Sequence, residues 1–253
     1  MATNASELKE RVRRAYGQKA QERKIASKSA CCAPRGTDPD YSPEEIASVP
    51  PGAYLAAGSG NPVRAALLRP GETVVDLGCG AGMDVFLAAN QVGPGGRVIG
   101  VDMTAEMLER ARENAGRSGY PQVEFRQGDI EQLPLPAASA DVVLSNCVIN
   151  LAPDKAAVFR DMHRVLRPGG RFAIADIVLR GEPTLVHRSI LQLAPCACVG
   201  GAQEQEGYLD TLRAAGFEGV EVVARRPAAG QALEKVLRIY AITVVGRKPV
   251  QAG

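Results

Sequence analysis

TVVDLGCGAGMDVFLAANQV, residues 73–92, decides the fold. Thr73 to Leu77 is a short, mostly apolar run closed by glycine, the pattern of a strand buried on both faces. Gly78, Gly80 and Gly82 then recur at every second position, where a chain can turn sharply and let a ligand approach its backbone. Met83 to Val92 reads as a helix whose N-terminus faces whatever occupies that turn. Working outward, RVIGVD (97–102) is a second strand, and Thr104 can cap the helix AEMLERARENAGRS that follows. VEFRQGD (123–129), ADVVLSN (140–146) and RFAIADIVL (171–179) supply three more strands. Asp154 can cap a helix running through Leu166, stopped by Pro168, Gly169 and Gly170. Short apolar strands alternating with helices imply an α/β fold, a mostly parallel sheet with helices on both faces and right-handed crossovers.

The flanks differ in kind. Residues 6 to 25 read as an amphipathic helix with Leu8, Val12, Ala15 and Tyr16 on one face. Its basic stretch from Arg11 to Lys28 is diluted by Glu and Gln and reads as a solvated face. Residues 26 to 62 are rich in proline, glycine and small residues, and read as a long irregular lid or binding segment. After residue 184 an apolar, Cys-containing stretch precedes a short helix (206–217) and two β-rich runs, 220–226 and 236–248, expected as an antiparallel pair at the sheet edge. The expected division is 1–62 as a Cys-containing cap, 63–180 as the central ligand-binding domain and 181–253 as a small substrate-binding region with closing strands.

Composition sets limits. Of 253 residues, 45% are hydrophobic and 23% charged, which suits a chain with a packed core. The formal net charge is +2, Trp is absent and aromatics total 4%, so nothing points to nucleic acid as a partner. No apolar run approaches the roughly 20 residues of a membrane span. Six cysteines without an apolar leader suggest reduced thiols and a cytoplasmic protein. There is no C-x-x-C and there are only two histidines, so a tetrahedral zinc site has no support.

The strand–glycine turn admits two readings. Dinucleotide binding wants G-x-G-x-x-G, but the third glycine's position holds Met83. Preceded by Asp76, the G-x-G-x-G spacing resembles the S-adenosylmethionine site of class I methyltransferases, with their Rossmann-like fold. That resemblance implies Asp76, Gly78, Gly80 and Gly82 around the methionine moiety. It implies Asp102 at the ribose, Asp129 of GDIEQLP (128–134) near adenine, and Met103, Ile130 and Asn146 among the cofactor-binding residues. Asp102 also lies roughly 20 residues past the glycines, where an acid can accept from a ribose diol. Cys79, inside the turn, reads as a small residue filling space.

Ligands of open α/β sheets bind outside the carboxyl ends of the strands. The fourth strand ends in SNCVINLAPDK (145–155), which places Cys147 there. Cys198, in PCACVGGA (195–202), belongs to the region that could fold over the same crevice. From about Tyr41 to Phe217 the chain resembles the arsenite S-adenosylmethionine methyltransferases, most specifically in YSPEEIASVPPGA, GNP (60–62), VDLGCGAG, VIGVDMTAEML, SNCVINLAPDK and CVGGA. The resemblance implies trivalent arsenic bound at Cys147 and Cys198, arsenical substrates, and a thiol reductant such as glutathione or thioredoxin. It further implies methyl transfer to the arsenic lone pair, which needs no general base; His163 then reads as a packing residue. One departure stands out: the family has a third arsenic thiol immediately before G-N-P, where this chain has Ser59 in AAGSGNP. Cys31, Cys32, Cys196 or a small thiol could supply the third sulfur. Two rival readings share the cofactor features: a class I methyltransferase acting on another small organic metabolite, and a thiol protein that sequesters metalloids.

Overall fold

The computed structural model describes residues 5–21, 40–181, 197–228 and 238–250; Cys31, Cys32 and Cys196 lie outside them. Strand β1 (Thr73–Leu77) lies inside the sheet, parallel to β2 (Arg97–Asp102) on one side and to β4 (Ala140–Asn146) on the other. β3 (Val123–Gln127) continues the sheet beyond β2, and β5 (Leu166–Leu179) beyond β4, again in parallel. The direction then reverses. β8 (Ile239–Arg247) runs antiparallel to β5, and β7 (Glu218–Pro227) antiparallel to β8. The two-residue β6 (Gln203–Glu204) pairs with the far end of β5. The order β3-β2-β1-β4-β5-β8-β7 places a topological switch point between β1 and β4, so a crevice opens at their carboxyl ends.

Alternation along the strands builds a core on each face. Val75, Leu77, Val143 and Ile174 pack with Phe159 and Met162 of α6 (Lys155–Val165) and with Tyr208 and Leu212 of α8 (Gln205–Ala214). Val74, Val98, Val142 and Leu144 face the other way, onto Phe86 and Leu87 of α4 (Met83–Val92), Leu108 of α5 (Ala105–Ser118) and Val63 of α3 (Pro62–Ala66). Each such buried side chain contributes about 1.5–3 kcal/mol. The remaining helices are α1 (Ala5–Gln21), α2 (Pro43–Ala47) and α7 (Ala197–Gly200). No helix among the described residues is long and apolar enough to cross a membrane.

Several sequence expectations need correction. The stretch from residue 40 to 62 is not wholly irregular. Ser42 and Glu45 form a reciprocal capping box that starts α2, and Asn61 accepts from the Arg64 N–H to start α3. The sixth helix ends at Val165, and β5 begins at Leu166 instead of 171. Pro168, Gly169 and Gly170 do not separate the two elements. They form a bulge, because Ala140 pairs with Leu166 while Val142 pairs with Arg171. Thr104 occupies the N-cap of α5 but makes no side-chain cap bond. Its hydroxyl and N–H both serve Asp102 instead. His163 packs edge-on against Phe217, with ring centroids 5.3 Å apart.

Candidate active site

The turn after β1 is pinned to the end of β2. The N–H groups of Gly78 and Cys79 both donate to the Val101 carbonyl, at 2.7 and 3.0 Å. Gly78, Gly80 and Gly82 take φ values of 65°, 51° and 99°, so the alternate spacing of glycines reports alternate left-handed residues. They differ in what surrounds them. A Cβ on Gly78 would sit 2.4 Å from Val148, and one on Gly82 would sit 2.6 Å from Phe86. At Gly80 a Cβ would meet nothing within 4 Å. Gly80 therefore faces open space, while Gly82 lets α4 pack.

That space is a cleft at the switch point. Asp76, Gly78, Gly80, Asp102, Met103, Asp129, Ile130, Asn146 and Cys147 all line it; Gly82, Ser59 and Cys198 do not. Cys79 fills space against Gly100 and also reaches the wall. Burial, together with the charges of Asp102 and Asp76, holds its thiol well above the usual range.

The cleft is acidic where it is deepest. Asp76 is 2% exposed, and burial plus the charges of Asp84 and Asp102 push its carboxyl well above the ordinary range. Burial also raises Asp102, against the opposing effect of hydrogen bonds from Thr104 and Gly80. The Gly80 N–H reaches Asp102 Oδ2 at 3.0 Å. Asp84 was not anticipated, although it is an acid in the first turn of an otherwise apolar helix. It accepts from Tyr41 Oη at 2.6 Å and from Asn146 Nδ2 at 3.0 Å. Asn146 Nδ2 also lies 2.9 Å from the Gly60 carbonyl, and its Oδ1 accepts from the Ser59 N–H at 2.8 Å. One side chain thus ties the tip of β4 to the GNP segment and to α4. Such buried, clustered carboxyls fit a ligand carrying positive charge.

Helix α1 closes one side. Lys9, Val12, Tyr16 and Lys19 contribute to the wall, which the sequence reading did not assign. Lys9 Nζ donates to Asp129 Oδ2 at 2.6 Å and pairs with Glu131.

Cys147 follows β4 with a φ of 58°, a left-handed conformation unusual for a side-chain-bearing residue. Its N–H donates to the Ala175 carbonyl at 2.8 Å. Cys198 lies in α7. Both are at most 4% exposed, neither is in a disulfide, and both belong to one apolar cluster with Leu151, Ile177 and Val12. Ser59 is 2% exposed, and its hydroxyl lacks a hydrogen-bond partner among the described residues. Among those residues no group of three or more His, Cys, Asp or Glu is arranged to hold a metal ion.

Comparison with known proteins agrees with this geometry. A family model described as a methyltransferase domain matches residues 68–216. An arsenite methyltransferase of Halobacterium salinarum is 50% identical over 188 residues, 73% of this chain and 47% of the relative. One from Aquipseudomonas alcaligenes is 35% identical, over 87% of this chain and 65% of that one. The chain thus spans between about half and two thirds of these relatives' length. The crystal structure of an arsenic(III) S-adenosylmethionine methyltransferase from Chlamydomonas reinhardtii superposes with a TM-score of 0.68 at 32% identity, covering 84% of this chain and 72% of that one. With the glycine turn, the acidic cleft and the sheet order of the class I methyltransferases already in hand, these matches place the chain in the arsenite S-adenosylmethionine methyltransferase family.

Proposed function

We propose that this protein methylates trivalent arsenic held by the thiolates of Cys147 and Cys198. The observation that carries the reading is the pairing of two buried thiols in one apolar cluster, one of them in the cleft wall and held in left-handed backbone. Trivalent arsenic is soft and thiophilic, and an apolar sulfur-lined site suits it better than oxygen donors would.

The cofactor site fits S-adenosylmethionine on three counts: the open face of Gly80, the buried carboxyls of Asp76 and Asp102, and an opening flanked by Asp129 and Ile130. S-adenosylmethionine supplies an electrophilic methyl carbon on a positively charged sulfur. Asp76 and the Gly78–Gly80 backbone would hold the methionine end, Asp102 and Met103 the ribose, and Asp129 and Ile130 the adenine. Asn146 fixes the β4 tip between the two ligands.

The thiols lose their protons on binding arsenic, and the two sulfurs leave the arsenic lone pair directed away from them. Using that pair for an As–C bond raises arsenic formally by two electrons, so repeated turnover requires a thiol reductant such as glutathione or thioredoxin. The protein's contribution is positioning; near-attack alignment can supply several kcal/mol, up to about 7–11 in favourable models. In this reading residues 1–62 cap the cleft, 63–180 carry the cofactor site and 181–253 supply Cys198. Ser59 offers a hard hydroxyl where the family resemblance expects a thiol. A monomethylated trivalent arsenical, which needs only two protein sulfurs, is then the better substrate. Cys31, Cys32 or Cys196 could complete a third ligand for arsenite.

The test is incubation with S-adenosylmethionine, glutathione and either arsenite or methylarsenite, with products oxidised and separated by methyl number. Methylated arsenic should form, and Cys147→Ser or Cys198→Ser should reduce turnover by about 100-fold or more, the loss of an orienting ligand. Undiminished arsenic methylation by both serine variants would discard the thiolate reading. No arsenic methylation by the unsubstituted protein would favour a small organic metabolite as substrate.

A further inference from the structure

Behind the two thiols lies a buried polar junction that the reaction above does not use. Asp176, fully buried in β5, accepts three hydrogen bonds: from Asn150 Nδ2 at 2.8 Å, from the Ile177 N–H at 2.9 Å and from Tyr208 Oη at 3.3 Å. Asn150 sits in a 3₁₀ turn (Ile149–Leu151) just after Cys147, and its Nδ2 also donates to the Ile177 carbonyl at 2.6 Å. Tyr208 belongs to α8, which follows the Cys198 segment after only a short connection. The two arms also meet directly. A Cβ on Gly201 would stand 1.9 Å from the Asn150 carbonyl oxygen, so only glycine lets the end of the Cys198 segment lie against the Cys147 turn.

We propose that Asp176 is a positioning residue that fixes the separation of the Cys147 and Cys198 sulfurs by tying the Cys147 turn, through Asn150, and α8, through Tyr208, to the same carboxyl. The proposal rests on the dithiol reading of the site and names what builds it. A polar group in such a core is costly unless it is hydrogen-bonded, and the bonds that converge on Asp176 hold both arms in one geometry, while Asn150 Oδ1 is left without a hydrogen-bond partner among the described residues. Here the geometry is the bite of a two-sulfur ligand. It suits a trivalent arsenical carrying one carbon substituent and two exchangeable oxygen positions. Each thiol proton leaves with arsenical oxygen as the two As–S bonds form: two waters from a dihydroxy arsenical, one from the oxide.

The probe is phenylarsine oxide, titrated into full-length reduced protein carrying Cys31→Ser and Cys32→Ser, so that the adjacent pair does not compete. Near-ultraviolet As–S absorption reports binding, and calorimetry with S-adenosylmethionine reports an intact cofactor site. Asp176→Ala and Asn150→Ala should each weaken arsenical binding by about tenfold, as expected for the loss of buried hydrogen bonds. Affinity for S-adenosylmethionine should stay within about twofold, and Asp176→Asn, which keeps an acceptor oxygen, should restore most arsenical binding. If the alanine variants do not fold, Tyr208→Phe decides the matter: it removes one hydroxyl and should weaken the arsenical by about threefold. Unchanged arsenical affinity in the folded variants overturns the positioning role. Absence of As–S absorption before any change at the junction, or its survival in Cys147→Ser, overturns the dithiol site itself and is distinguishable from the first result.

Discussion

Cys147 takes a φ of 58° in a core position only 4% exposed. A Cβ in the left-handed region costs about 1–2 kcal/mol, and glycine escapes most of that cost. Cys147→Gly should therefore be more stable than Cys147→Ala by about 1 kcal/mol, the reverse of the usual ranking in regular structure. Chemical denaturation of the two variants measures it; an alanine variant as stable as the glycine variant would show that the backbone relaxes at no cost. The strain sits at a residue that lines the cleft, as expected of Cys147 if it is the arsenic ligand proposed above. Ser59 raises the complementary case. Its N–H is held by Asn146, one residue from Cys147, while its buried hydroxyl lacks a hydrogen-bond partner among the described residues. Ser59→Cys replaces that hydroxyl with a weakly polar thiol of similar size and should stabilise the fold by about 1 kcal/mol. It should also tighten arsenite binding by about tenfold, a third sulfur worth roughly one decade. Equal arsenite affinity in the two proteins would mean that another group already completes the site.

At the level of elements, the central strands were legible because each is a short apolar run that ends in a turn signal. β1, β2 and β4 match their sequence reading residue for residue. The short helices were not, because Pro43, Pro50, Pro51 and the neighbouring glycines dominate the composition of that stretch. The S-x-x-E box at Ser42–Glu45 was the available signal. The role of α1 was hidden for a different reason. Its amphipathic face was readable, but which surface that face covers is decided only by tertiary packing. Val12 is buried in the thiol cluster, Lys9 pairs with Asp129 and Glu131, and Arg110 Nη1 donates to the Ala20 carbonyl at 3.0 Å, closing the last turn. Burial lowers the Lys9 pKa, but the hydrogen bonds to both carboxylates outweigh it and raise the value. Lys9→Met should loosen the clasp without emptying the wall. S-adenosylmethionine affinity should fall by about threefold, the worth of a partly exposed ion pair, and amide protection across residues 5–21 should drop. High salt should reproduce part of this in the unsubstituted protein and nothing further in Lys9→Met. Identical salt responses would show that the pair is ornamental.

Over the whole molecule, the site reading and the stability curve share one cause: carboxyls buried to build a cleft and a junction. Most of the buried polar set was invisible in sequence, since Asp176 and Tyr208 lie in runs that read simply as strand and helix. Burial pushes the Asp176 carboxyl from an ordinary 3.8 up to about 7. The charge of Cys198 acts in the same direction, while Lys155 and the Ile177 and Tyr208 hydrogen bonds act against it. Burial lowers the Lys155 pKa, while the charge of Asp176 acts to raise it. A raised carboxyl pKa means that the folded state holds a proton which the unfolded chain has already released between those two values. Folding stability from this group is therefore full below about pH 4, declines as pH rises toward 7 and is flat above it; the total is on the order of 4 kcal/mol. Asp76 contributes in the same direction, through burial and the charges of Asp84 and Asp102. Asp176→Asn removes the titration while keeping an acceptor for Asn150. Its unfolding free energy should fall less steeply than that of the parent between pH 5 and 7, so the difference between the two curves shifts in the variant's favour as pH rises. Denaturant unfolding at closely spaced pH values measures both slopes. Parallel curves would mean that Asp176 stays ionised in the fold, and that Lys155 neutralises it across the junction despite its burial.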